Sequence, residues 1–161
     1  MPLKIAVYPG SFDPVTFGHL DIIDRALQIF DGVIVAVARN SEKNALFTVP
    51  ERQALLSQVL ADRPKASVET FDGLLVDYVR QRGAKVIIRG LRAVSDFEFE
   101  FQLAQMNRSI TKEVETLFMM TSVPYCYLSS SIVKEVSSLN GPVEKLVPPL
   151  VKAALDAKFN R

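Results

Sequence analysis

At 161 residues, with 48% hydrophobic side chains, the chain is long enough to bury one continuous core and too short for two. Its 19 basic and 18 acidic residues leave a net charge of +1, and no run of Lys and Arg could track a polyanion, so nucleic acid is not an expected partner. One cysteine, Cys126, and one histidine, His19, exclude an internal disulfide and a structural zinc site.

The chain opens Met-Pro-Leu-Lys-Ile-Ala-Val-Tyr, without a charged n-region followed by an apolar h-region, and no apolar run approaches membrane-spanning length. A reducing, cytoplasmic location away from any membrane is expected, with residues 1–161 as one domain.

Residues 3–8 form the first short apolar run and predict a strand. A loop with two prolines and two glycines follows, Tyr8-Pro-Gly-Ser-Phe-Asp-Pro-Val-Thr-Phe-Gly-His19, and leads into a helix whose apolar face carries Leu20, Ile23, Leu27 and Phe30. Residues 32–38 predict a second strand. Thr48-Val-Pro-Glu51 has the form of a capping box with proline in the first turn, ahead of a face of Leu55, Leu56, Val59 and Leu60. Residues 68–71 predict strand three, Leu75, Val76 and Val79 a helical face, and residues 84–88 strand four.

Ser95-Asp-Phe-Glu98 repeats the capping-box form before the longest candidate helix. Phe97-Glu-Phe-Glu-Phe101 alternates with period two, as a half-buried strand would, but the Ser95 cap with Leu103, Ala104 and Met106 favours helix. Residues 116–121 predict strand five, and Gly141-Pro142 and Pro148-Pro149 punctuate a tail of short helices.

Strands and helices therefore alternate, and the strands read as buried on both faces. An α/β fold is expected, a single doubly wound parallel sheet of Rossmann-like form, with ligands bound beyond the carboxyl ends of its strands.

Three stretches at those ends carry chemistry. Gly18-His19 opens the first helix, where unpaired N–H groups and a partial positive charge suit a phosphate. The loop matches neither G-x-G-x-x-G nor G-x-x-x-x-G-K-[ST], which removes support for a dehydrogenase or a P-loop NTPase. Arg89-Gly-Leu-Arg92 follows strand four and presents two guanidiniums at the sheet edge. Tyr125-Cys-Tyr-Leu-Ser-Ser-Ser131 places three hydroxyls where a helix begins, able to cap it or to bind phosphate.

Thr16-x-Gly18-His19 is similar to the T/H-x-G-H signature of the nucleotidylyltransferase superfamily, and Leu128-Ser-Ser-Ser-Ile-Val-Lys134 to its I-S-S-[ST]-x-x-[RK] segment. With Tyr8-Pro-Gly-Ser-Phe-Asp-Pro14 and the string from Ile88 to Glu100, the chain resembles, over nearly its whole length, the bacterial phosphopantetheine adenylyltransferases. Ser11 stands where that family often has threonine, and Phe17 where it often has asparagine.

The resemblance implies ATP contacts from Ser11, Phe12, His19, Gly90, Leu91, Arg92, Glu100, Tyr125, Cys126, Tyr127, Leu128, Ser129, Ser130 and Ser131. It gives 4'-phosphopantetheine to Ser11, Lys43, Leu75 and Arg89, and makes His19 the catalytic residue. It further implies a homohexamer, with dephospho-coenzyme A or coenzyme A as product or feedback ligand. Mg²⁺ is expected to arrive with ATP, since the sequence offers no carboxylates spaced as a dedicated cage. Two other readings stay open at this point. One is transfer to another acceptor, such as nicotinamide mononucleotide or a CTP-dependent alcohol phosphate; the other is a non-enzymatic nucleotide or coenzyme A sensor.

Overall fold

The computed structural model describes residues 3–39 and 44–161. Five strands, β1 (Ile5–Gly10), β2 (Gly32–Ala38), β3 (Ala66–Phe71), β4 (Val86–Leu91) and β5 (Glu115–Met120), form one sheet in the order β3-β2-β1-β4-β5. Every pairing is parallel. Among the described residues six helices accompany them: α1 (Phe17–Ala26), α2 (Val49–Val59), α3 (Leu75–Gln81), α4 (Val94–Ile110), α5 (Ser130–Ser138) and α6 (Pro149–Lys158). A 3-10 turn spans Val123–Tyr125.

Alternation along the strands sorts side chains to the two faces. Ala6 and Tyr8 of β1 join Val33, Val35 and Val37 of β2 in a core that α1, α2, α5 and α6 close with Leu20, Ile23, Leu56, Val133, Val151 and Leu155. Val7, Ile34, Ala36 and Ile87 point to the opposite face and meet Val76, Tyr78 and Val79 of α3. β1 and β2 are largely buried, β4 is buried at Ile87 and Ile88 and half-buried elsewhere, and β3 and β5 are edge strands and only half-covered. That corrects the expectation of burial on both faces for the two outer strands, which lack a neighbour on one side.

Helix starts follow local chemistry. Thr48 caps α2 and forms the expected box with Glu51, with proline in the first turn. The Ser95 box does not form: α4 begins two residues earlier, with Ala93 at its cap, so Ser95 is already inside the helix. Asp96, in the first turn, instead accepts the Arg92 backbone N–H at 3.1 Å, one residue before the cap, and no side chain caps α4. Residues 97–101 are helical, so the alternating phenylalanines do not make a strand. Strands four and five run from Val86 and Glu115, slightly displaced from the sequence reading, and strand three starts earlier, at Ala66.

β1 leads to β2 on one side and pairs with β4 on the other. The winding direction reverses there, and the ends of β1 and β4 diverge to leave a crevice at the sheet's carboxyl edge.

Candidate active site

The loop that follows β1 is held open by its own side chains. Phe12 adopts φ +49, a left-handed conformation that costs a bulky residue about 1–3 kcal/mol. Its ring offsets this by burial, lying edge-on to Tyr8 at 5.5 Å and 5.0 Å from the His19 ring.

Thr16 caps α1. Its hydroxyl oxygen accepts the His19 backbone N–H, and its own backbone N–H donates to His19 Nδ1 at 3.0 Å. The result is a capping box in which imidazole stands where glutamate usually does. Because Nδ1 accepts, the ring proton sits on Nε2, the nitrogen left for the crevice. Burial, with the nearby Arg92 and Arg89 cations, pushes the imidazole pKa down to about 4. At neutral pH His19 is therefore an uncharged, rigidly aimed N–H donor.

Arg89, at the end of β4, is gripped by Glu100 through two bonds of 2.6 Å and donates to the Pro9 carbonyl at 3.2 Å. Arg92 is clasped by Asp96 and donates to the Leu128 carbonyl at 3.3 Å, tying the β4–α4 turn to the segment before the serines. Ser129 caps α5 by accepting the Ile132 N–H at 3.2 Å, and Ser130 donates to the Pro14 carbonyl at 2.7 Å. Asp21 of α1 accepts from both the backbone N–H and the hydroxyl of Ser122, fixing the chain just beyond β5.

These pieces enclose a cleft of about 310 Å³. Ser11, His19, Arg89, Gly90, Arg92, Leu128, Ser129, Ser130 and Ser131 all line it, so three sequence-distant motifs meet at one place. Phe12 and Glu100 stand directly behind it, as packing for His19 and as partner of Arg89. Leu91, Tyr125, Cys126 and Tyr127 do not line it; Tyr125 packs near Phe17, and Cys126 and Tyr127 are exposed. Leu75, the first residue of α3, is partly buried against the opposite-face core and does not line the cleft, and Lys43 lies outside the described residues.

Ile22 and Thr121 also line the cleft and were not singled out by the sequence, whereas Tyr8, Pro9, Gly10, Thr16 and Gly18, which belong to the quoted motifs but were given no ligand, line it as well. Tyr8 had a legible signal, a hydroxyl at the end of an otherwise apolar strand. Burial raises its phenol pKa far above the ordinary value, so it stays a neutral hydroxyl.

Among the described residues, none that lines the cleft is acidic. Two guanidiniums, an imidazole N–H, four hydroxyl-bearing serines and the N-termini of α1 and α5 converge instead, which makes the cleft a site for a polyanion. Among the described residues, no group of three or more His, Cys, Asp or Glu is arranged to hold a metal ion.

The cytidylyltransferase-like family model matches residues 7–136. The chain is 78% identical to the phosphopantetheine adenylyltransferase of Geotalea daltonii over all of both chains. It is 75% identical to that of Geobacter sulfurreducens, over 99% of this chain and 97% of the relative, and 71% identical to that of Geobacter metallireducens, over 100% and 99%. Among solved structures, a putative nicotinate-nucleotide adenylyltransferase from Vibrio parahaemolyticus superposes with TM-score 0.71 at 20% identity, covering 99% of this chain and 96% of that one. The Plasmodium falciparum nicotinic acid mononucleotide adenylyltransferase complexed with NaAD superposes with TM-score 0.70 at 17% identity, covering 99% and 97%. At such identities the structural likeness speaks for the fold, while the end-to-end relatives speak for the branch: the chain belongs to the phosphopantetheine adenylyltransferases, within the cytidylyltransferase-like nucleotidyltransferases.

Proposed function

We propose that the chain transfers the adenylyl group of ATP to 4'-phosphopantetheine, giving dephospho-coenzyme A and pyrophosphate, the penultimate step of coenzyme A biosynthesis. The observation that carries the chemistry is the cleft itself, where a neutral imidazole N–H, two arginines and two helix N-termini face one space with no acidic lining among the described residues. The names of relatives 71–78% identical over nearly the full chain support the acceptor.

An acceptor phosphate oxygen attacks the α-phosphorus of ATP in line; the new P–O bond forms as the bond to the β-phosphate oxygen breaks and pyrophosphate leaves. A phosphate monoester has a second pKa of about 6, so the nucleophile is already ionised at neutral pH and needs no general base. What the protein supplies is alignment and charge neutralisation. His19 donates from Nε2 to the transferring phosphate and, being uncharged, does so without giving up a proton. Arg92 and the N-terminus of α5 with Ser129, Ser130 and Ser131 hold the ATP phosphates, and Ser11, Phe12, Gly90, Leu91, Glu100 and the segment Tyr125 to Leu128 complete the nucleotide side. The resemblance assigns the acceptor to Ser11 and Arg89, which line the cleft, and to Leu75 and Lys43, which are not among its described lining residues.

Mg²⁺ would be brought by ATP, since no residue lining the cleft among those described offers a carboxylate to hold it. The cationic, hydroxyl-rich lining suits a metal already bound to a polyanion and not a bare cation. Its contribution there would be to neutralise phosphate charge beside Arg92 and the N-terminus of α5.

A homohexamer is part of the same proposal. It is supported by Phe99, Leu103, Met106 and Ile110, exposed along one stripe of α4 at helical spacing, and by exposed Leu117 and Met120 on edge strand β5. Dephospho-coenzyme A is the product ligand and coenzyme A the feedback ligand. A cytoplasmic location is proposed as well; among the described residues no helix is long and apolar enough to cross a membrane.

The test is pyrophosphate release with ATP and Mg²⁺, comparing 4'-phosphopantetheine with nicotinamide mononucleotide and nicotinic acid mononucleotide. Release specific to phosphopantetheine is expected. Release only with a mononucleotide would overturn the acceptor, and ATP binding without release for any acceptor would make the protein a nucleotide sensor.

A further inference from the structure

One buried carboxylate has no part in the reaction as described. Asp13 is wholly buried and does not line the cleft. Its Oδ1 accepts the Phe47 N–H at 2.8 Å; its Oδ2 accepts the Leu46 N–H at 2.9 Å and the Lys134 ammonium at 2.8 Å. A charge taken out of water persists only where donors replace its hydration, and this one draws them from two separate elements.

The donors come from opposite sides of the cleft loop. Leu46 and Phe47 lie in the chain entering α2, just beyond the segment that contains Lys43. Lys134 belongs to α5, one turn beyond Ser130, so both residues share a helix face. That face is joined to the loop twice, by Lys134 to Asp13 and by the Ser130 hydroxyl to the Pro14 carbonyl. On the other flank Asp13 follows Phe12, whose ring packs against His19.

We infer that Asp13 is a positioning residue for adenylyl transfer: its carboxylate fixes α5, and so the cleft serines, relative to the loop that carries Ser11 and leads into His19 of α1. The inference rests on the proposed reaction, because it assigns Asp13 to keeping the two halves of the nucleotide cleft in register. A misplacement of about 1 Å in such a constellation costs roughly a hundredfold in rate.

The test is a double-mutant cycle of Asp13→Asn, Lys134→Met and their combination, with Lys134→Arg as the conservative variant. Steady-state constants for both substrates are read beside ATP affinity by calorimetry, on proteins whose unfolding transitions show them folded at the assay temperature. Each single variant is expected to lower kcat/KM for ATP by about 10–100-fold, the double variant to fall no more than about threefold below the worse single one, and Lys134→Arg to stay within about threefold of the wild type. Effects that multiply in the double variant, wild-type constants in both folded single variants, or a Lys134→Arg protein as impaired as Lys134→Met would each overturn the inference. Should Asp13→Asn not fold, the contrast between Lys134→Met and Lys134→Arg decides alone. Should the wild type release no pyrophosphate with phosphopantetheine, the reaction falls, and the same cycle on ATP affinity still tests Asp13: additive losses there refute it.

Discussion

His19 is the chain's single histidine, so its titration can be followed without assignment in tag-free protein labelled at histidine nitrogen. The structure makes two statements about it: the proton sits on Nε2, and the pKa falls from 6.5 to about 4 through burial and the neighbouring Arg92 and Arg89. Between those values the unfolded chain binds the proton and the folded one does not. Stability is therefore fully present above pH 6.5 and declines as the pH falls toward 4. The full shift sets a ceiling of about 3 kcal/mol, and because the ring's Nε2 side opens on the cleft we expect about 1–2 kcal/mol after solvent screening. Nitrogen NMR should show the Nε2–H form throughout neutral pH with a midpoint well below 6, and urea unfolding between pH 7 and 4.5 should show a steeper loss in the wild type than in His19→Asn. ATP should raise the midpoint, since its phosphates oppose the arginine cations. An Nδ1–H tautomer, or a midpoint at 6.5 or above in the free protein, would refute the argument that the helix cap fixes the ring.

Thr16→Val removes the hydroxyl that accepts the His19 N–H and is expected to cost about 1 kcal/mol in unfolding free energy, together with a larger fall in kcat than in ATP affinity as the ring loses its cap. Equal kcat in the variant would separate the cap from catalysis. Glu100→Gln weakens the two-bond grip on Arg89 and should raise the phosphopantetheine KM by roughly 5–20-fold, with less effect on ATP, in steady-state assays. Phe99→Ser combined with Met106→Ser should shift light-scattering mass toward smaller species, because it breaks the exposed stripe of α4; a wild-type protein that is already monomeric would refute the assembly.

The local elements were legible because their signals are local. The apolar runs, the Thr48 box and the periodic faces of α1, α2 and α3 specify a β/α alternation, and a parallel sheet with its site at the carboxyl edge follows from that alternation alone. Thr16-x-Gly-His19, Arg89-Gly-Leu-Arg92 and Ser129-Ser-Ser131 stood out because each sits where a strand ends or a helix begins, and the fold brings all three to one cleft.

What depended on distant partners was not legible. The Ser95 box satisfied a local rule and lost to Ala93 at the cap and Asp96 reaching back to Arg92. The role of imidazole as a capping group, the depressed pKa set by two arginines some 70 residues away in the chain, and the Asp13–Lys134 pair across α5 arise only when the sheet is assembled. Sequence by itself determined the order of elements, the family and the chemical types gathered at the strand ends, since these follow from short-range periodicity and motif spacing. Tertiary structure alone decided which nitrogen of His19 faces the cleft, which carboxylates are neutralised behind it and which hydrophobic stripe stays uncovered, because desolvation and pairing are properties of neighbours in space.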